Sequence, residues 1–333
     1  MEEIFSKLDE ISQQIKNLEE ERKRLAEFLR EIKEFELEKD SRAVEDKLSV
    51  KVGKVELDNL RFVGVDGGLA KRSYHSLDLI LVRAVGVIFD YRKGKLDSVS
   101  YFPSVSPTPK LRIVHDASEN DFQYIASFER INAEINVLKA CLEKNPSILL
   151  ADGSIAPHPS DQPKKGTAVY EEYKKLLDNY KSLYRSSAGA LLAGVVEDSR
   201  SSTFSEYISD KILSQIKSKR VEELKRILRK TRDTNLLYHV LNKGERSFVM
   251  RMNPNADLGD YGKNLYLFYL KTTEFDRPVR VEFYASGDPI RVADRIAALL
   301  FSVSSENQEY GLPPVIIEAD GRAKISEGEL DII

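Results

Sequence analysis

The chain opens on a heptad rhythm. Ile4, Leu8, Ile11, Ile15, Leu18, Leu25, Leu29 and Ile32 recur at alternating spacings of four and three across residues 4–37, with Arg22 at the one polar seam position. Sustained over about four heptads, this pattern predicts a long, coiled-coil-like helix. It either packs along its own domain or serves as a dimer arm. Residues 38–60 are mixed and charged and predict a connector with one short strand, Leu48–Val55. The expected division is a helical arm over 1–45 and a larger domain over 46–333.

From Arg61 the rhythm changes to strands. Arg61-Phe62-Val63-Gly64-Val65-Asp66-Gly67-Gly68 is a short apolar run that delivers one carboxylate onto a double glycine. It predicts a buried strand closed by a tight turn, with Asp66 exposed at its end. Leu79–Phe89 and Leu96–Phe102 flank the turn Tyr91–Lys95 and predict an antiparallel meander. Phe122–Lys144 carries Phe128, Ile131, Ile135, Leu138 and Leu142 at helical spacing, with Glu129 and Glu134 as its acids of interest. The run Ser147–Ser154 then repeats the strand-then-Asp-Gly device with Asp152, so helix and strand make an α/β crossover onto one sheet.

A Pro-rich loop at His158–Gly166 leads to a helix at Tyr170–Ser187 and a buried strand at Ala188–Val196. Residues 205–232 predict helix, and a helical insertion is expected over about 168–235. Strands follow at Tyr266–Lys271 and Val279–Tyr284, then a helix at Pro289–Ser302. No internal repeat or low-complexity tract interrupts this order.

Composition narrows the chemistry. Of 333 residues, 41% are apolar and 32% charged, with a net charge of −3, so any nucleic-acid surface must be local. A single cysteine, Cys141, excludes an internal disulfide framework and fits a reducing, cytoplasmic setting, where it reads as a packing residue. No signal peptide and no membrane-spanning run are expected. Phosphate-binding-loop, dinucleotide and nucleophile-elbow patterns are missing, and the four histidines lack paired metal spacing.

What remains is carboxylates. Acids at strand ends plus one on a helix suit Mg²⁺ or Mn²⁺, hard cations that prefer oxygen ligands. Two such ions can activate water and stabilise a leaving oxygen in phosphodiester hydrolysis. Asp66 is the candidate bridging ligand, with Asp152, Glu134 and Asp233 completing the cage. A bare Asp-Gly is more often only a turn signal, and a helical glutamate is usually a solvated one. The stretch from Lys211 to Arg232 holds nine Lys/Arg against two Glu, a solvated helix face by default or a phosphate-holding surface beside an acid cluster. Tyr170, Tyr173, Tyr180, Tyr184 and Tyr207 could stack on unpaired bases or pack in the core.

The order of these motifs resembles the NurA nucleases of archaea. The resemblance runs through Val65-Asp66-Gly67-Gly68, Arg130-x-x-x-Glu134, Leu149-Leu150-Ala151-Asp152-Gly153-Ser154, Ser199-Arg200-Ser201 and Asp233-Thr234-x-Leu236-Leu237, then Arg280–Phe283 and Gly311–Pro314. It spans roughly residues 60 to 325. It implies an α/β ribonuclease-H-like mixed sheet flanked by helices, and manganese-dependent cleavage of single- and double-stranded DNA with 5′ to 3′ end resection in break repair. It also implies a homodimer docked on the hexameric HerA translocase. Asp66, Glu134, Asp152 and Asp233 match the family's metal-binding acids. Glu197-Asp198 stand where many members have a lysine, and where many have a C-terminal histidine this chain has Glu318-Ala319-Asp320, so either Asp320 replaces that ligand or the second metal is held differently. Arg200, Lys217, Lys219, Arg220 and Arg226 are the expected DNA contacts. A non-catalytic adaptor for a DNA motor and a junction-specific endonuclease are the alternative readings.

Overall fold

In the computed structural model, residues 2–31, 42–187, 189–215, 219–254 and 257–331 are described. Ile32 and the rest of the heptad run, Ala188 and Lys217 lie outside them. The chain runs α1 (Glu2–Glu31), β1 (Ser49–Lys51), β2 (Leu60–Ser73), β3 (Asp78–Arg92), β4 (Lys95–Phe102), β5 (Lys110–Val114), α2 (Glu119–Leu142) and β6 (Ile148–Asp152). There follow α3 (Ala168–Ser186), β7 (Leu192–Val196), α4 (Thr203–Tyr207), α5 (Lys219–Leu228), α6 (Asp233–Val240), β8 (Glu245–Ser247) and β9 (Met250–Arg251). The last elements are β10 (Leu265–Lys271), β11 (Val279–Tyr284), α7 (Pro289–Ser304), α8 (Pro314–Ala323) and α9 (Glu327–Asp331).

The strands form one mixed sheet in the order β1-β8-β10-β11-β7-β6-β2-β3-β4, with β5 beside β3 and β9 beside β10. The predicted meander is β2–β3–β4, antiparallel throughout. After α2 crosses over, β6 pairs parallel to β2 and β7 parallel to β6. A three-stranded meander followed by two parallel strands on the far side of its first strand is the ribonuclease-H-like arrangement. Here β11, β10, β8 and β1 extend it by antiparallel pairing beyond β7.

Both faces of the sheet are covered, as the unbroken apolar runs require. Alternate side chains sort to opposite cores. Val63, Val65, Leu149 and Ala151 face α2 and α3, whereas Phe62, Ile148 and Leu150 face α7 and α8. A third core gathers α1, α5 and α6 with Phe204, Phe248 and Tyr269. Leu25 and Leu29 of α1 are buried there, and Glu19 holds His239 at 2.8 Å. The seam residues Ile4, Leu8, Ile11 and Ile15 remain 51–62% exposed. Arg22, at the polar seam position, pairs within the helix with Glu19.

Three expectations are corrected. The strand carrying Asp66 does not turn at Gly67-Gly68; it continues to Ser73. These glycines serve close approach instead. A Cβ at Gly68 would lie 1.9 Å from the Ala323 carbonyl oxygen of α8, and one at Gly64 would lie 2.7 Å from that of Val315. The predicted strand Leu48–Val55 shortens to Ser49–Lys51. The helix expected over 205–232 breaks into α4, two irregular turns and α5, and α6 starts afresh at Asp233. Of the tyrosines that could stack on bases or pack in the core, Tyr173, Tyr180, Tyr184 and Tyr207 pack in the core. The Tyr184 hydroxyl donates to the Ile155 carbonyl at 2.6 Å. Cys141 is buried, as its packing role requires, and no described helix is long and apolar enough to cross a membrane.

Gly68→Ala forces α8 off β2, and overpacking of this kind typically costs about 1–3 kcal/mol. Urea unfolding should show that loss for Gly68→Ala and much less for Gly53→Ala, whose added Cβ meets nothing within 4 Å. Equal midpoints for the two variants would contradict the packing argument.

Candidate metal centre

Sheet register brings the first two acids together. Val65 pairs with Ala151 in the parallel β2–β6 ladder, so Asp66 and Asp152 follow side by side on the face toward α8. The chain leaves β6 immediately after Asp152 through Gly153, whose φ of +93° few other residues adopt. The Gly153 carbonyl passes against Gly194 of β7, where a Cβ would sit 2.3 Å away. Helix α8, drawn onto β2 by the bare positions 64 and 68, supplies Asp320. Carboxylate oxygens of Asp66, Asp152 and Asp320 all lie within 4.8 Å of one another.

A fourth acid arrives from the opposite face. Glu134 of α2 approaches β2 at Gly67, where a Cβ would lie 2.5 Å from Glu134 Oε1. Arg130, one turn earlier, pairs with it. Glu129, the other helical acid, instead pairs with Arg112.

Burial and mutual repulsion govern the charges. Desolvation, then the negative charge of Asp320, raises the Asp66 carboxyl above its ordinary range, against the opposing hydrogen bond from the Gly67 N–H. Burial, then Asp66, Asp320 and Glu197, pushes Asp152 up to about 7. Burial raises Glu134 to about 8 although Arg130 opposes it. Lys324 Nζ, 2.7 Å from Asp320 Oδ2, offsets one charge from the exposed side. Gathered carboxylates that resist ionising alone form the donor set a hard divalent cation stabilises. The residues present fit such an ion.

Asp233 is not brought to this cluster. It is fully buried, and both its oxygens are engaged. Oδ1 accepts from the Ser205 N–H at 2.9 Å and the Ser205 hydroxyl at 2.8 Å, and Oδ2 from the Phe204 N–H at 2.9 Å and the Tyr269 hydroxyl at 2.7 Å. Its own N–H donates to the Ser201 carbonyl at 3.0 Å. In this arrangement Asp233 clamps residues 201–205 and has no side open toward a cation.

Among the other expected residues, Arg200 and Arg226 are exposed, and Lys219 and Arg220 open α5, though their side chains lie outside the described residues, as does all of Lys217. Sequence reading gave no role to Tyr310, whose hydroxyl lies 3.3 Å from Glu197 Oε2 and is pushed up to about 12 by burial and by the neighbouring acids Glu197 and Asp152. Its only signal was position, immediately before Gly311–Pro314.

A ribonuclease-H-like sheet with carboxylates converging where the pairing of its two central parallel strands ends defines a class of proteins built to hold cations. The NurA domain profile matches residues 60–325, and the chain belongs to the NurA family. Among solved structures, the NurA nuclease from Sulfolobus solfataricus is 16% identical, with a TM-score of 0.63, covering 100% of this chain and 94% of that one. A NurA structure bound to dAMP and manganese is 9% identical, with a TM-score of 0.55, covering 83% of this chain and 87% of that one. No curated protein sequence matches the chain.

Two outcomes follow from these charges. Unfolded carboxyls titrate near 4, so between about pH 4 and 8 the folded, metal-free chain holds more protons than the unfolded chain. Its stability therefore falls as pH rises through that window, and thermal melts at pH 6 and 8 should show the drop. Divalent-ion binding, which needs ionised carboxylates, should strengthen over the same range and release protons, as titration calorimetry in two buffers of different ionisation enthalpy would detect. A second check concerns Asp233. Asp233→Asn should lower stability by about 1–3 kcal/mol yet leave Mn²⁺ affinity intact, whereas Asp66→Asn should do the reverse. Loss of Mn²⁺ binding in well-folded Asp233→Asn would return that residue to the metal centre.

Proposed function

We propose that this protein is a metal-dependent nuclease that hydrolyses phosphodiester bonds of single- and double-stranded DNA. The observation that carries the reading is the convergence of Asp66, Asp152 and Asp320, with Glu134 outside that group of three but near enough to feel the charges of Asp66 and Asp152. The manganese and dAMP in a family relative support the choice of Mn²⁺, with Mg²⁺ as an alternative, and of a nucleotide substrate.

In this reading Asp66 is the shared ligand, flanked by Asp152 and Asp320. A bound divalent cation supplies a Lewis acid for the phosphoryl oxygen and lowers the pKa of water. Glu134, proton-holding up to about pH 8 in the metal-free chain, is the group able to exchange a proton beside the reacting phosphate. Arg130 fixes its carboxyl orientation by donating a hydrogen bond to Oε1. Arg200, Lys217, Lys219, Arg220 and Arg226 are the proposed phosphate contacts, supplying cations that four clustered acids would otherwise lack. Water attack leaves no covalent intermediate on the protein.

Family resemblance supports the finer assignments: 5′ to 3′ end resection in break repair, a cytoplasmic homodimer and a hexameric HerA-type translocase as partner. The exposed seam of α1 is the proposed surface for assembly, since its buried half already anchors it to α6.

Digestion of a 5′-labelled linear DNA tests the reading. Wild type with Mn²⁺ should degrade it, and Asp66→Ala should lose at least about 10²-fold in rate, about 2.7 kcal/mol of barrier. Equal digestion by both proteins would place the chemistry elsewhere.

A further inference from the structure

Asp320 differs from its two partner aspartates in how it is held. Asp66 and Asp152 stand on paired strands of the sheet, whereas Asp320 rides on α8, a helix of ten residues. Helices this short are marginal in water on their own. Val315, Ile316 and Ala319 pack the first turns of α8 into the core. The last turn, from Asp320 to Ala323, buries only Ala323. The place of the third carboxylate therefore depends on what grips the end of this helix.

The grip comes from β3. Arg83 faces Gly68 directly across the β2–β3 ladder, and residues paired in this way point to the same side of a sheet. Gly68 leaves room for the Ala323 carbonyl. Arg83 takes the carbonyl that follows, its Nη1 donating to the Lys324 oxygen at 3.0 Å. Lys324 caps α8, and its N–H donates to the Asp320 carbonyl at 3.3 Å. Its ammonium lies 2.7 Å from Asp320 Oδ2. Lys324 is thus joined to Asp320 through backbone and side chain alike, and Arg83 holds Lys324.

The rest of the guanidinium ties this turn to its surroundings. Nε donates to the Pro107 carbonyl at 2.7 Å, and Nη2 donates to the Glu329 carboxylate of α9. Glu329 in turn accepts from the Ser326 N–H at 2.9 Å, which closes the bend leaving α8. Arg83 is 7% exposed, so water competes little for these bonds. A cation here also meets the partial negative charge of the last helical carbonyls.

We propose that Arg83 is a positioning residue of the metal centre, fixing the last turn of α8 so that Asp320 stands beside Asp66 and Asp152. The proposal rests on reading the three carboxylates as a metal site. Among the described residues no hydrogen bond or ion pair joins Arg83 to any of the three, so its influence runs through the Lys324 backbone. Partners one step removed from a metal typically change its affinity by about 10–100-fold when lost.

Titration calorimetry of the full chain with Mn²⁺ tests this, with thermal melts to confirm folding. Arg83→Met should weaken Mn²⁺ binding by about 10–100-fold. The Mn²⁺ concentration that half-saturates cleavage of single-stranded DNA should rise by the same factor, with the KM for DNA unchanged. Arg83→Lys keeps the charge but not the three-way fork, and should fall between Arg83→Met and wild type. Arg72→Met is the control, since Arg72 pairs with Asp331 of α9 at 2.7 Å; it should bind Mn²⁺ as wild type does. Wild-type affinity in folded Arg83→Met, or an equal loss in Arg72→Met, would overturn the positioning role. If Arg83→Met does not fold, Arg83→Lys decides alone, and wild-type affinity there overturns the role. Absence of Mn²⁺ binding by wild type would overturn the metal centre and the positioning role together. Binding without cleavage would strike only the nuclease reading, and the affinities would still decide the role of Arg83.

Discussion

Three carboxylates can face one another here because β2 carries no side chain at Gly64 and Gly68. Those two positions let α8 sit directly on the strand, with the Ala323 carbonyl closer to residue 68 than any Cβ would permit. Asp320 rides on that helix, and its meeting with Asp66 and Asp152 depends on the contact. Gly67 does the same on the other face, giving Glu134 its passage past the strand. One strand thus spaces four acids by what it omits.

Such a cluster opposes folding. Asp66, Asp152 and Glu134 are largely removed from water, and the charges of Asp66, Asp152 and Asp320 raise the carboxyls beside them. The fold tolerates this because the acids sit beyond the end of the β2–β6 pairing, while the body of the sheet is apolar on both faces. A site built against its own electrostatics in the metal-free state is poised for a divalent cation, which converts mutual repulsion into shared coordination. Arg130 and Lys324 moderate the cost from two sides without closing the centre.

Much of this was legible in the sequence. The two strand-to-Asp-Gly runs pointed to Asp66 and Asp152, and the helix between them to a parallel crossover, which together set the two acids side by side on neighbouring strands. The double glycine was misread because Gly-Gly after an apolar run is also a turn signal, and only the arrival of α8 and Glu134 distinguishes the two uses. Helix α8 itself was hidden, since Pro313-Pro314 followed by Val315-Ile316-Ile317 lacks helical periodicity. Asp233 shows the opposite difficulty. Its hydrogen-bond partners Tyr269 and Phe204 are distant in sequence, so a structural clamp and a metal ligand look alike until the chain is folded. Within α1 the heptad was correct over Leu25 and Leu29, yet the pattern could not say that the first half would remain uncovered.

The most direct test of the account is anomalous diffraction from crystals grown with Mn²⁺. An anomalous peak is expected between the Asp66, Asp152 and Asp320 carboxylates. Manganese bound at Asp233 instead, or absent from the three-carboxylate cluster at saturating concentration, would contradict it.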